Sequence, residues 1–342
     1  MAVDRPKLQD VADLADVSIG TASRVLNNKP NVLPDTRARV LNAASRLGYQ
    51  AQGRNPAQTA QALSTIGVLA TLIPDEYALS NPFYGSVIDG VDRECREQNL
   101  KLMYAGIRAV DHDDPAHWPP MLHDPDVHGL LVMGHVPEHV ICNISQRTRK
   151  PLVLVDAHAP AGMYDMVLPD NIRTGYDATR YLIEQGHRHI GLIGSHTQTL
   201  PSFVARRTGY LQALRAYGID NVYIEDSAHT DEHTYEASLR LLRRAPQITA
   251  ILAVFDFAAN SAIRAARHLG LTVPGDVSVM GIDDVAAARS MVPPLTTMFI
   301  DKQLMGMLGV RQLLDRVQNP DRVVLTVLVR TRLVERESVR AL

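Results

Sequence analysis

Residues 7–50, KLQDVADLADVSIGTASRVLNNKPNVLPDTRARVLNAASRLGYQ, decide how the chain is read. Leu8, Val11, Ala12 and Ala15 fall at i, i+3, i+4 and i+7, one apolar stripe on a short helix. Asp16-Val17-Ser18 breaks that period, and Asp tolerates the left-handed backbone of a tight turn. Ser18 is placed to cap a second helix, its hydroxyl accepting from the Gly20 or Thr21 N–H. That helix runs to about Asn27 with Ala22, Val25 and Leu26 inward. A third begins near Pro34, buries Val40, Ala44 and Leu47, and stops at Gly48.

Two short helices on a tight turn, braced by a third, make a helix-turn-helix. Its second helix exposes Ile19, Gly20, Ser23, Arg24 and Asn27. In such a unit this helix enters the DNA major groove. Arg24 can read guanine O6 and N7, and Ile19 can pack on a thymine methyl. Gly20 admits close backbone approach. Thr21, Ser23 and Asn28 can donate to phosphates, and Lys29 adds charge. With Ser18 at the helix start, these residues form the expected DNA-binding set. A packing module with a polar face is the alternative that the pattern alone leaves open.

The charge distribution agrees with a nucleic-acid-binding head. The chain of 342 residues has a net charge of −2. Residues 1–62 hold eight Lys/Arg against five Asp, and the remainder is mildly acidic. With 46% hydrophobic residues the chain can bury sizeable cores. It has no long apolar run of the kind that spans a membrane, and no apolar signal-peptide core at its start. Two cysteines, Cys95 and Cys142, exclude a disulfide framework and suit a cytoplasmic protein.

The head resembles the N-terminal domain of the LacI/GalR family of bacterial transcriptional repressors. The match lies in V-A-x-x-A-x-V-S-x-x-T-x-S-R-V-L-N (11–27) and in T-R-x-x-V…L-G-Y (36–49). Leu33 departs from it, standing where the family usually has a Ser cap; Pro34 and Asp35 are left to start the helix. Residues 50–65, QAQGRNPAQTAQALST, have linker composition. The resemblance implies a hinge helix that wedges an apolar side chain into the minor groove. An ungapped count puts Gln58 at the wedge, with Pro56 where the family usually has a basic residue. Reading Ala60-Gln61-Ala62-Leu63 as the family's A-R-x-L makes it Leu63. A plain flexible linker is the third reading.

From Ile66 onward short apolar runs alternate with helical stretches. IGVLATL (66–72), GLLVMG (129–134), PLVLVD (151–156), HIGLIG (189–194), AILAVF (250–255) and VSVMGI (277–282) read as buried parallel strands. Their number predicts an α/β body of two doubly wound lobes with a ligand at the strand C-termini between them. This body resembles the periplasmic-sugar-binding-protein fold as LacI/GalR members carry it, through SNPFYGSVIDGV (80–91), PDNIRTGYDATRYLIEQGHRHIGLIG (169–194), ARRTGYLQAL (205–214), LGLTVPGDVSVMGIDD (269–284) and PPLTTM (293–298). The expected organisation is a helix-turn-helix at 1–50, a hinge at 51–65, and an effector-binding and dimerisation domain at 66–342. Its first lobe takes 66–165 with 298–325, its second 166–297 with 326–342.

The resemblance also implies a homodimer on double-stranded operator DNA and a small-molecule effector. Carried over position by position, the effector-binding set is Phe83, Tyr84, Asp156, Ser202, Arg206, His229, Phe255 and Asp283. Asp156 and Asp283 end strands, where carboxylates accept from sugar hydroxyls or cap the next helix. Arg206 opens the family's R-x-x-G-[YFW] motif with Gly209 and Tyr210. Phe255 replaces a frequent Asn and His229 a frequent aromatic, which points away from a neutral hexose and toward a sugar acid. His112, His117, His123 and His128 lack convergent metal spacing, so no metal or cofactor is expected. No nucleophile elbow, phosphate loop or dinucleotide fingerprint appears, and the expected function is a non-enzymatic regulator, most simply a repressor. A cytosolic sugar-binding protein or α/β enzyme without a DNA role is the competing reading.

Overall fold

The apolar stripe closes into the core of a three-helix head. In the computed structural model, which describes residues 8–26, 34–47, 64–72, 81–159, 162–196, 200–228 and 230–342, α1 spans Leu8–Leu14, α2 Ile19–Leu26 and α3 Pro34–Arg46. Val11, Ala12, Ala22, Val25, Val40 and Ala44 are buried together. Asp16 takes the left-handed conformation at φ 51°. The Thr21 N–H donates to Ser18 Oγ at 3.1 Å, so the cap uses Thr21 rather than Gly20. Arg39 of α3 donates to the Asp16 carbonyl at 3.1 Å, so the third helix pins the turn. The chain divides into two compact units, Met1–Ala62 and Leu63–Leu342.

The second unit carries two sheets, each of six described strands. The first is built from β1 (Thr65–Leu72), β2 (Lys101–Arg108), β3 (Gly129–Met133), β4 (Leu152–Val155), β5 (Asp165–Pro169) and β11 (Thr326–Val329), in the order β11-β5-β4-β3-β1-β2. All of its pairs are parallel. The second uses β6 (Ile190–Ile193), β7 (Tyr223–Glu225), β8 (Ala250–Ala253), β9 (Ser278–Asp283), β10 (Thr296–Phe299) and β12 (Arg332–Val334), in the order β12-β10-β9-β8-β6-β7. Only β12 runs antiparallel. The central strands of both sheets are almost wholly buried, as parallel strands under helices must be, while the edge strands β2, β7, β11 and β12 are partly exposed.

Helices α4 (Pro82–Glu97), α5 (Glu138–Thr148) and α10 (Lys302–Gln318) cover the first sheet. Helices α6 (Asn171–Glu184), α7 (Pro201–Ala216), α8 (Asp231–Arg244) and α9 (Asp256–His268) cover the second. The chain crosses between sheets at residue 170, at 300–301 and at 330–331. Asp170 and Asp301 stand at the first two crossings and cap the helices that follow, accepting from the Arg173 and Leu304 N–H groups.

The lobe boundaries move accordingly. Residues 326–329 were expected in the second lobe; as β11 they pair with β5 and extend the first sheet. Residues 166–169 also belong to the first sheet, and Met298 and Phe299 to the second. Single-strand hydrophobicity carries no information about which strand is the partner. The histidine-bearing stretch 109–123 forms three short 3₁₀ turns that bury Trp118, Met121 and Leu122 on the first lobe. Trp118 Nε1 donates to the His112 carbonyl, and His117 and His139 pair with Asp114 and Asp113. Among the described residues no helix is long and apolar enough to cross a membrane.

Candidate effector cleft and nucleic-acid interface

On the head, α2 turns Val25 and Ala22 inward and leaves Ile19, Gly20 and Arg24 exposed. Ile19 is an exposed large apolar residue on an otherwise polar face. The Ser18 and Thr21 hydroxyls lie 2.9 Å apart and satisfy each other at the helix start. Both are therefore committed to the cap that holds the helix, and Ser23 is half-buried. Asn27, Asn28, Lys29, Gln58 and Leu63 lie outside the described residues.

In the body, a cavity of about 390 Å³ opens at the C-terminal ends of the strands. Its first-lobe wall comes from Tyr84, the Gly134–Glu138 loop after β3 and the segment after β4 that carries Asp156 and His158. Its second-lobe wall is the start of α7, Leu200 to Ser202. The strand-end position puts Asp156 there, at φ 49°. Tyr84 Oη donates to Asp156 Oδ2 at 3.1 Å, while Oδ1 is shielded from solvent and has no hydrogen-bond partner among the described residues. Burial pushes the Asp156 carboxyl up to about 6, against the pull of Arg206 and the Tyr84 bond. Burial, with the Asp156 charge, raises the Tyr84 phenol in turn. His158 is held below its usual value by burial and by nearby His135.

Arg206 lies deeper. It is almost fully buried, and Nε donates to Asn171 Oδ1 at 2.9 Å. Its Nη1 donates to the Val254 carbonyl at 2.5 Å and stands 3.1 Å from Asp283 Oδ1. Its guanidinium covers the Phe203 ring, which stacks on Phe255 with centroids 5.0 Å apart. The motif spacing explains this placement. A Cβ on Gly209 would come within 2.0 Å of the Ile172 carbonyl, so only glycine lets α7 cross α6 closely enough for Arg206 to reach Asn171. Tyr210 is buried beside it and donates to the Ile190 carbonyl at 2.8 Å.

Asp283 takes the backbone conformation φ 123° and Asp284 φ 50°, a strained pair for residues with side chains. Buried Lys302 holds that turn, donating to the carbonyls of Asp283, Asp284 and Ile300. Arg336 grips the Asp284 carboxylate at 2.6 Å. Beneath them Asp256 accepts from Thr297 Oγ1 and the Val285 N–H, and burial followed by the Asp283 charge pushes it up to about 8.

Of the expected effector residues, Tyr84, Asp156 and Ser202 line the cavity. Arg206, Asp283 and Phe255 form a layer that does not line it, and Phe83 belongs to the first-lobe core, edge-on to Tyr84 at 5.2 Å. His229 lies outside the described residues. Sequence reasoning passed over His135, Glu138, His158 and Lys302. The strand-end rule that selected Asp156 applies equally to His135 after β3 and His158 after β4, so the signal was present for both.

A helix-turn-helix head followed by a two-lobed, ligand-sized cleft defines the class of ligand-responsive DNA-binding regulators. Residues 7–52 match the model for bacterial regulatory proteins of the lacI family, and residues 179–339 a periplasmic binding protein-like domain. The HTH-type transcriptional repressor PurR of Proteus mirabilis is 33% identical over 341 residues, covering 97% of this chain and 96% of that protein. A transcriptional regulator CelR–cellobiose complex superposes with a TM-score of 0.71 at 30% identity, over 98% of this chain and 100% of the other. The Lac repressor dimer bound to operator and an anti-inducer shares the fold, with a TM-score of 0.67 at 22% identity, over 99% of this chain and all of the other. The chain belongs to the LacI family.

Proposed function

We propose that the protein is a cytoplasmic, homodimeric transcriptional repressor whose operator affinity is set by a sugar effector bound between the two lobes. The observation that carries this is the pairing, in one chain, of an exposed Ile19/Arg24 face on a capped helix with a cavity of about 390 Å³ at the strand ends. A dimer presents two such helices to successive major grooves. Phosphate contacts supply salt-dependent affinity and base contacts specificity. Effector binding alters the angle between lobes, and operator and effector then change each other's affinity by one factor.

A sugar fits the lining chemistry. Tyr84, Asp156 and Ser202 offer hydroxyls and a carboxylate at the cavity, the groups that pair with ring hydroxyls. The CelR complex holds cellobiose, which supports the same ligand class here. The sugar-acid reading rested on Arg206 with Arg207 and His229; the Arg206 guanidinium is already engaged by Asp283, Asn171 and Val254, Arg207 donates to Asp226, and His229 lies outside the described residues.

The test is a gel shift of the full chain on DNA from upstream of its own gene, with a panel of sugars. Sequence-specific retardation that one sugar changes is the expected result. Equal, weak binding to every duplex, unaltered by any sugar, would sink the proposal.

A further inference from the structure

We propose that the effector is an amino sugar whose protonated amine is bound by Asp156. This rests on reading the cavity as the effector site and names the ligand class for it.

Three observations converge. Among the described residues the cavity is lined by two acidic side chains, Asp156 and Glu138, and by no Lys or Arg. Asp156 Oδ1 is shielded and lacks a hydrogen-bond partner among the described residues, while Oδ2 already accepts from Tyr84. A shielded carboxylate oxygen without a donor is unfavourable, and the strongest remedy is a charge-assisted bond from an ammonium. The nearest strong cation is spent: Arg206 commits Nε and Nη1 to Asn171, Val254 and Asp283.

The rest of the lining suits an ammonium better than an anion. An ammonium brings three donors and no acceptor. Asp156 and Glu138 supply acceptors on one side of the cavity. Burial, with nearby His135, disfavours the charged form of His158, and a neutral imidazole carries an acceptor nitrogen. An anionic sugar would meet two carboxylates with no guanidinium or ammonium among the described residues of the wall to offset them. On the opposite wall Leu200 and Pro201, beside Ser202, present apolar surface that suits the hydrophobic face of a sugar ring.

Isothermal titration calorimetry on the intact chain, with glucosamine, galactosamine and mannosamine against glucose, galactose, mannose and glucuronate, tests this. At least one amine should bind about tenfold more tightly than its hydroxyl counterpart, the difference between a charge-assisted and a neutral hydrogen bond. Glucuronate should not bind. Asp156→Asn should bring the amine-to-hydroxyl ratio to about one, and Glu138→Gln should lower it less. Three results overturn the proposal: a hydroxyl sugar that equals or beats its amine, glucuronate binding, or no amine binding at millimolar concentration. If Asp156→Asn does not fold, the unaltered protein's panel decides alone. Tight binding of a neutral sugar would end the amine assignment and leave the sugar-responsive regulator standing. Loss of sequence-specific DNA retardation would end the regulator and leave the amine preference measurable.

Discussion

Asp156 and Asp283 occupy equivalent places, each at the C-terminal end of a central parallel strand and each with a positive φ. The second lobe consumes its aspartate internally. Arg206 pairs with the Asp283 side chain and Lys302 with its carbonyl, so the carboxylate serves to anchor a strained turn. The first lobe gives its aspartate no ion-pair partner among the described residues: Oδ2 accepts from Tyr84, and the shielded Oδ1 has no hydrogen-bond partner among them. The difference lies in the neighbouring cations: Arg206 and Lys302 engage Asp283, whereas Asp156 has no ion-pair partner among the described residues.

Arg206→Ala breaks this contrast most severely. It leaves the Asp283 carboxylate buried without its partner and frees Asn171 Oδ1 and the Val254 carbonyl. Loss of one member of a buried pair costs about 3–5 kcal/mol, so denaturant unfolding of the body should show a drop of that size, together with loss of any effector response. A variant of unchanged stability would mean that Asp283 does not depend on Arg206.

Asp156→Asn should act in the opposite direction. The folded-state value of about 6 lies above the ordinary 3.8, so the native state holds its proton more tightly than the unfolded chain. The ionised group therefore costs stability, increasingly from about pH 4 to pH 6 and at a constant level above, on the order of 1–3 kcal/mol. Melting curves should find the asparagine variant more stable than the parent at pH 7, with the gap closing toward pH 4. A gap that widened on acidification would contradict the assigned environment.

The head repeats the contrast between a spent and an open group. Arg24 is exposed on α2, so Arg24→Ala should weaken specific operator binding by about 1–3 kcal/mol and leave melting unchanged. Ser18 is engaged in the cap, so Ser18→Ala should cost the head about 1 kcal/mol of stability. Fluorescence anisotropy with operator and scrambled duplexes, alongside thermal melts, separates the two. Unchanged operator discrimination by the Arg24 variant would remove that side chain from readout.

What could be read from the sequence follows how local each determinant is. The head was legible because the stripe at Val11, Ala12 and Ala15, the Asp16 turn and the Ser18 cap all act within a few residues. The buried strands were legible because a parallel sheet demands continuous apolar runs. Strand β11 was misassigned because its membership depends on pairing with β5, which lies 160 positions earlier between Thr326 and Met166. Within the site, Tyr84, Asp156 and Ser202, carried over from the family resemblance as effector-binding, line the cavity. Residue type could not reveal that Arg206 is already neutralised, since its partners Asn171, Val254 and Asp283 come from three separate elements or their ends. The histidines divide in the same way: His112 and His117, whose spacing does not make a metal site, sit in the 3₁₀ turns after β2, whereas His135 and His158 reach the cavity through their positions after β3 and β4.

The most direct test of the account is anisotropy of the intact protein on its operator, measured with and without a sugar that calorimetry shows to bind. The account predicts that this ligand shifts operator affinity by roughly 5- to 150-fold, and that operator shifts the ligand's affinity by the same factor. A sugar that fills the cleft while operator affinity stays constant would contradict it.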